Sequence, residues 1–422
     1  MMDKNLRNIF QARYKAVLLF LVVGFFALYA GGGFSTVKGW NFTYDWLNSD
    51  EFKNDFNNPE NNYTKGYDED GELLPYLDIE EYQLRSLVLF NPSYSSAYST
   101  QTNDSNTRFK PDQSYERGHV YWSQFAFLSL LLIALCLFLL SFALFFIDSK
   151  TNFNAFLFSL SYKKKEIFRA KLLYLGIPVM TSIALGIIIH QVTIYLLIPD
   201  IYVNATLGQM LYSGLTHWVF LLFTSLAGSF LGVLLGNLVT APLMIGIGIL
   251  SLSQLNQFST HFQGLLESLH LGSVNQFFEQ TIRSYSSIAI NHLDKTGATF
   301  LALLLLFGLT ILLFLVAEKI YENTSLESNG KVLTVPRYRR RFFVTLAICT
   351  SLYYTIAATD FLFHMDYYGY LPLGQLLLLP IICTISSFIV TYYDEIFKFW
   401  NKRYLDRMTK KFNNIKTFKV CD

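Results

Sequence analysis

Apolar positions in this chain come in long unbroken runs separated by short polar stretches. The long runs occupy residues 16–33, 120–147, 172–198, 210–235, 299–317, 342–359 and 371–392, with a shorter one at 238–253. At about 1.5 Å of rise per residue, a helix over each long run approaches or exceeds the roughly 30 Å of bilayer hydrocarbon. The pattern predicts an all-α polytopic membrane protein of about eight transmembrane helices.

The polar stretches predict the rest of the layout. Residues 3–15 place Leu6, Ile9 and Phe10 on one helical face and basic residues on the other, so residues 1–33 read as an amphipathic helix leading into the first span. Gly31, Gly32 and Gly33 predict the end of that helix. Residues 34–118 form an extracytoplasmic domain, in which Asp78, with Glu81 three residues on, marks the start of a helix through Tyr82, Leu84 and Leu87. A core transmembrane domain follows at 119–322, containing an amphipathic cytoplasmic docking helix at 152–171 and an external amphipathic hairpin at 256–292. A basic loop at 323–341, two further spans within 342–392 and a basic tail at 393–422 complete the chain.

Composition agrees with the pattern. Of 422 residues, 52% are hydrophobic and 15% charged, more apolar surface than one soluble core hides. The net charge of +2 conceals an asymmetry. Residues 34–118 carry fifteen acids against seven Lys/Arg, whereas the stretch from Asp148 to Lys171 carries six Lys/Arg against two acids. With Lys4, Arg7, Arg13 and Lys15 at the start and eight Lys/Arg in the tail, all basic segments fall on one side of an eight-span topology. The positive-inside rule then makes both termini cytoplasmic in a multi-pass protein. No small-x-small site follows the first run, which predicts an uncleaved span. Cys136, Cys349 and Cys383 lie inside predicted spans and Cys421 in the tail, so no external disulfide framework and no zinc-ligand spacing is present.

Candidate chemistry is sparse. The sequence has no P-loop, no zinc-protease motif and no nucleophile elbow. The intramembrane ionisable candidates are His190 and His217, read as structural hydrogen-bonding groups toward the outer ends of their spans. No cofactor and no metal is expected on this chain, and no nucleic-acid partner. Gly228, Gly232 and Gly236, four apart, predict a helix face that another helix approaches closely. Leu160, Tyr162, Lys163, Lys164, Lys165, Glu166, Ile167, Phe168 and Lys171 combine apolar anchors with charge, the pattern of a short helix that docks in a partner's groove. The competing reading is a topology-setting basic loop on anionic lipid.

The stretch Leu160-Ser161-Tyr162-Lys163-Lys164-Lys165-Glu166-Ile167-Phe168-Arg169-Ala170-Lys171 resembles the coupling-helix segment of ABC-2-type transporter permeases. Lys164, Glu166, Ile167 and Lys171 match that pattern, whereas Ser161 stands where the family has Pro and Lys163 where it has Ser. Tyr321 with Ser325-Leu326-Glu327-Ser328-Asn329-Gly330-Lys331 is similar to a Glu-x-x-Gly segment of Gram-positive bacterial members. The resemblance covers about residues 1–322. It implies a bacterial plasma-membrane subunit without catalysis of its own, paired with a second permease copy or homologue. Cytosolic ABC ATPase subunits would bind ATP and Mg and drive export of an amphipathic substrate. Antimicrobial peptides, drugs, lipids and envelope precursors fit that description. An alternative is a sensor or immunity protein whose acidic residues 34–118 capture a cationic peptide. A channel or membrane-embedded enzyme is disfavoured by the scarcity of polar groups in the spans.

Overall fold

The computed structural model describes residues 4–58, 61, 63–67, 73–75, 78–89, 130–203, 205–242, 244–246, 300–325, 331–363 and 373–418. The helices are α1 (Lys4–Leu47), α2 (Asp50–Phe56), α3 (Ile79–Leu87), α4 (Leu130–Lys150), α5 (Phe153–Ser159), α6 (Lys164–Leu197), α7 (Leu207–Leu234), α8 (Phe300–Glu322), α9 (Arg339–Phe363) and α10 (Leu373–Phe418). A small antiparallel pair, β1 (Thr64–Tyr67) and β2 (Leu73–Pro75), sets Tyr67 opposite Leu73.

Among the described residues, six helices are long and apolar enough to cross a membrane: α1, α4, α6, α7, α8 and α10. Across its apolar stretch each buries a minority of positions and leaves apolar residues exposed as well. In α6 the buried row is Ile167, Lys171, Leu175, Val179, Ile183, Ile187, His190 and Ile194, at steps of three or four. Its other faces carry exposed Leu173, Ile177, Leu185 and Ile188. Water does not tolerate such a surface on helix after helix, whereas hydrocarbon does. The chain is a helical membrane protein. The stretch expected as a span at 342–359 is occupied by α9, which is not among those six. The expected external hairpin at 256–292 and half of the short run at 238–253 lie outside the described residues.

The chain divides into two units. The first comprises residues 1–140, 166–227 and 272–314; the second comprises 141–165, 228–271 and 315–422.

In the first unit α1 corrects two expectations. It runs without interruption from Lys4 to Leu47, so the leading amphipathic segment and the first span are one helix and the glycines do not end it. The reason is packing. Gly33 faces the backbone of His190 so closely that a Cβ there would stand 2.9 Å from His190 Cα and 3.1 Å from its carbonyl oxygen. A Cβ on Gly186 would stand 2.8 Å from the Cβ of Tyr29. The glycines act as notches for a helix crossing, and the close approach of the two backbones offsets the roughly 1 kcal/mol that each helical glycine costs. The leading segment is also packed into the protein, with Leu6, Phe10 and Tyr14 buried and Phe10 6.3 Å from Tyr174 between ring centroids.

The C-terminal end of α1 belongs to a small cap in the same unit. Val37, Trp40, Leu47, Phe52, Leu87 and Leu89 form its core with Ile194, Ile198 and Met210. Asp78 caps α3 by accepting from Glu80 N, as its sequence signature requires. Trp40 Nε1 donates to the Leu87 carbonyl at 2.8 Å, and Leu89 N donates to Tyr202 O at 2.9 Å. Tyr63 donates to Asp55 at 2.5 Å. That bond holds the phenol proton and pushes the Tyr63 pKa up to about 12.

In the second unit α9 packs along α10. Phe343 meets Phe388 and Tyr392 edge-on, at centroid distances of 5.9 and 6.0 Å. The end of α7 is finished by a strand-like segment, because Gly236 N donates to Val332 O at 2.9 Å and Thr334 N to Leu234 O at 3.0 Å. These bonds, with Thr334 Oγ1 donating to Val233 O at 2.8 Å, engage backbone groups at a terminus where the helix leaves its last carbonyls unpaired.

Candidate functional site

The docking segment is two helices and a turn, not the single coupling helix expected at 152–171. α5 ends at Ser159, Leu160 is extended (φ −76°, ψ 161°), and α6 starts at Lys164. The start of α5 is also set off, since Asn152 takes a left-handed conformation at φ 57°.

Residues 141–165 and 315–325 of the second unit meet at this turn. Lys164 Nζ donates to the Thr324 carbonyl at 2.6 Å and lies 4.8 Å over the Phe158 ring. Lys165 pairs with Glu318 at 3.6 Å, and Glu318 is only 5% exposed. Tyr321, 2% exposed, packs edge-on against Phe158 at 5.6 Å and Phe145 at 6.2 Å and donates to Asn154 Oδ1 at 3.3 Å. The basic turn and the Tyr321 region, about 160 positions apart in sequence, are thus one structural element. Residues 326–330 of that second sequence segment lie outside the described residues. Beside the junction is a cavity of about 70 Å³ lined by Ser149, Asn152, Asn154, Phe158, Thr324 and Thr334. It has room for a few waters and is well below the several hundred Å³ of a ligand pocket.

Exposure sorts the sequence candidates. Lys163 is exposed, and Leu160, Tyr162, Lys164 and Lys165 are half-buried. Of the candidates in the first unit, Glu166 is exposed, but Ile167, Phe168 and Lys171 are buried at 0%, 0% and 1%. Phe168 packs against Phe314 at 5.9 Å, and Lys171 Nζ lies 5.5 Å over the Tyr14 ring. The sequence offered Ile167 and Phe168 as apolar anchors and Lys171 as part of the basic run, but all three are turned inward to the protein's own helices. An aromatic the sequence reading passed over, Phe156 on α5, is 48% exposed beside the turn. Its spacing from Phe153 and Leu157 was the available signal, and it did not say which ring faces out.

Of the glycine series, Gly228 and Gly232 lie in α7 and are buried. A Cβ on Gly232 would meet the Phe142 carbonyl and lie 3.1 Å from Phe145 Cβ, so α4 and α7 approach to backbone contact within the second unit. Gly236 lies beyond the helix end at Leu234 and serves the paired segment instead, its carbonyl accepting from Lys150 Nζ.

The two histidines share one partner in the first unit. Tyr29 OH and His217 Nε2 are 2.8 Å apart, and His190 Nδ1 is 3.1 Å from the Tyr29 carbonyl. All three residues are buried, so these two hydrogen bonds between α1 and its neighbours α6 and α7 are made inside the bundle. Among the described residues no group of three or more His, Cys, Asp or Glu is placed to hold a metal ion.

No protein-family model matches the chain, and no curated protein or solved structure does either.

Proposed function

We propose that this chain is the membrane-spanning permease subunit of an ABC-2-type transporter, which exports an amphipathic substrate with ATP hydrolysed by a separate cytosolic subunit. The observation that carries the proposal is the junction in the second unit. Lys164 and Lys165 of the first segment that resembles the permease family meet Thr324 and Glu318 beside the second, and Tyr321 of the second meets Phe158 beside the first. A turn that only set topology by charge would not need to be built onto a buried carboxylate and a buried tyrosine.

In this reading Phe156, Leu160, Tyr162 and Lys163 face the ATPase, while Lys164 and Lys165 hold the turn to α8. The nucleotide and its Mg belong to the partner. The chain sits in a bacterial plasma membrane with both termini cytoplasmic, on the distribution of Lys and Arg. A second permease copy or homologue completes the path, membrane lipids surround it, and this subunit catalyses nothing itself. Antimicrobial peptides, drugs, lipids and envelope precursors remain the substrate classes.

The sensor reading has one observation in its favour, an ordered aromatic cap with Asp45, Asp50, Glu51, Asp78 and Glu80 exposed around it. Affinity purification in mild detergent tests the choice. An ATP-hydrolysing subunit that copurifies with the unaltered chain, and is lost from a Phe156→Ser, Lys163→Glu variant of unchanged elution volume, supports the permease. Absence of any ATPase, with binding of a cationic peptide by the cap, moves the sensor ahead. Ile167→Asp is unsuitable for this test because it strikes the core.

A further inference from the structure

The last helix is too long for one crossing. At 1.5 Å per residue α10, with its 46 residues, extends about 69 Å, more than twice the hydrocarbon thickness. Its helical geometry breaks at Tyr392 (φ −106°, ψ 15°). A collar of side chains fixes the break. Arg339 Nε donates to the Thr391 carbonyl at 2.9 Å, its Nη1 reaches Glu395 at 2.6 Å, and its guanidinium lies 4.4 Å over the Tyr392 ring. Asp394 accepts from Val332 N at 2.6 Å and from Asn237 Nδ2 at 2.9 Å.

Composition changes at the same place. Residues 373–391 contain no charged side chain, whereas residues 393–418 carry seven Lys/Arg and three Asp/Glu. Just past the collar Phe397, Phe399 and Trp400 are 53%, 55% and 68% exposed. In sequence the row Tyr393, Phe397, Trp400, Tyr404, Met408, Phe412, Ile415 continues at helical spacing, and Lys398, Lys402, Arg403, Lys410 and Lys416 flank it. A row of this composition, exposed at Phe397 and Trp400, is poorly matched to water through its rings. It matches the boundary between acyl chains and anionic headgroups, where a Trp ring and cations both find partners.

We propose that residues 393–418 form a binding surface for anionic phospholipid, lying along the leaflet at which α10 leaves the membrane. The aromatic row enters the acyl boundary and the flanking Lys and Arg sit on headgroup phosphates. Continuity favours lipid over a soluble partner, because the row begins one residue after the break that ends the span. The proposal rests on the membrane-spanning fold and not on the transporter reading.

The test uses the full chain in nanodiscs of phosphatidylcholine alone and of phosphatidylcholine with phosphatidylglycerol. Limited trypsin digestion is followed by mass spectrometry of the C-terminal fragments. Cleavage after Lys402, Arg403, Arg407, Lys410 and Lys411 is expected to slow at least about tenfold in the anionic discs, with protection weakening as salt rises. A Phe397→Ser, Trp400→Ser variant is expected to lose that protection while cleavage after Lys53 in the cap stays unchanged. Equal tail cleavage in the two lipids overturns the proposal. So does protection that appears only when a soluble ATPase is added, which assigns the face to a protein.

Discussion

The two units hold their helices together by a different balance of means. In the first, α1, α6 and α7 meet through missing side chains, with Gly33 against the His190 backbone and Gly186 against Tyr29, and the nearby polar atoms are neutral groups bonded to one another. In the second, one such notch, Gly232 against Phe142 and Phe145, stands beside many charged side chains that reach across gaps, Lys164 to the Thr324 carbonyl, Lys165 to Glu318, Arg339 to Thr391 and Glu395, and Asp394 to Val332. Backbone contact is short-ranged and tolerates no sliding, whereas a lysine on a carbonyl exchanges for water at modest cost. The first arrangement suits a body that stays fixed. The second suits segments that rearrange when a partner binds, and it is where the proposed docking turn lies.

The largest expected effect comes from filling a notch. Gly33→Val puts methyl groups where the His190 backbone already stands, and is expected to cost about 3 kcal/mol or more, seen as loss of a monodisperse peak or a lowered Tm in detergent. Gly31→Val is the internal control. A Cβ at Gly31 meets nothing within 4 Å, so it is expected to stay within about 0.5 kcal/mol of the unaltered chain. Equal loss from both substitutions would mean that helix propensity, not the crossing, is what matters there. Asp394→Ala is next. It removes two hydrogen bonds to a carboxylate and is expected to cost about 2 kcal/mol, concentrated locally as faster amide exchange at Val332 to Thr334. Loss of the whole fold instead would make the second unit as rigidly built as the first and erase the contrast.

How far the sequence reading reached follows the same division. Six of the apolar runs located helices long and apolar enough to cross a membrane, because length and composition alone decide whether a helix suits hydrocarbon, and Asp78 marked its helix because capping is local. The glycines of α1 were misread as a helix end because their signal is ambiguous. A glycine run weakens a helix in isolation, and only the position of His190, some 157 residues later, turns it into a packing surface. Likewise the sequence offered Ile167, Phe168 and Lys171 to a partner, and the inward direction of Phe168 and Lys171 is set by Phe314 and Tyr14 elsewhere in the chain. Glu318 and Asp394 left no mark at all. A single acid at the end of an apolar run looks like a solvated terminus until its partners are placed.

Two smaller substitutions sharpen the contrast from either side. Lys164→Met keeps an apolar stem over Phe158 but loses the bond to the Thr324 carbonyl and the cation over the ring, and is expected to cost about 1.5 kcal/mol. Its larger consequence should be local, with faster amide exchange near residues 323–325 and weakened ATPase copurification at nearly unchanged Tm. Tyr29→Phe is the counterpart in the first unit. It keeps the ring that fills the space beside Gly186 and deletes the hydroxyl bonded to His217. About 1 kcal/mol is expected, a similar size, but spread through the bundle as a small uniform fall in Tm. Amide exchange near residues 323–325 should then be unchanged, because the glycine crossings still hold the helices in place. If Tyr29→Phe instead loosened ATPase binding while leaving Tm untouched, the histidine pair would be a moving part, and the fixed character assigned to the first unit would fail.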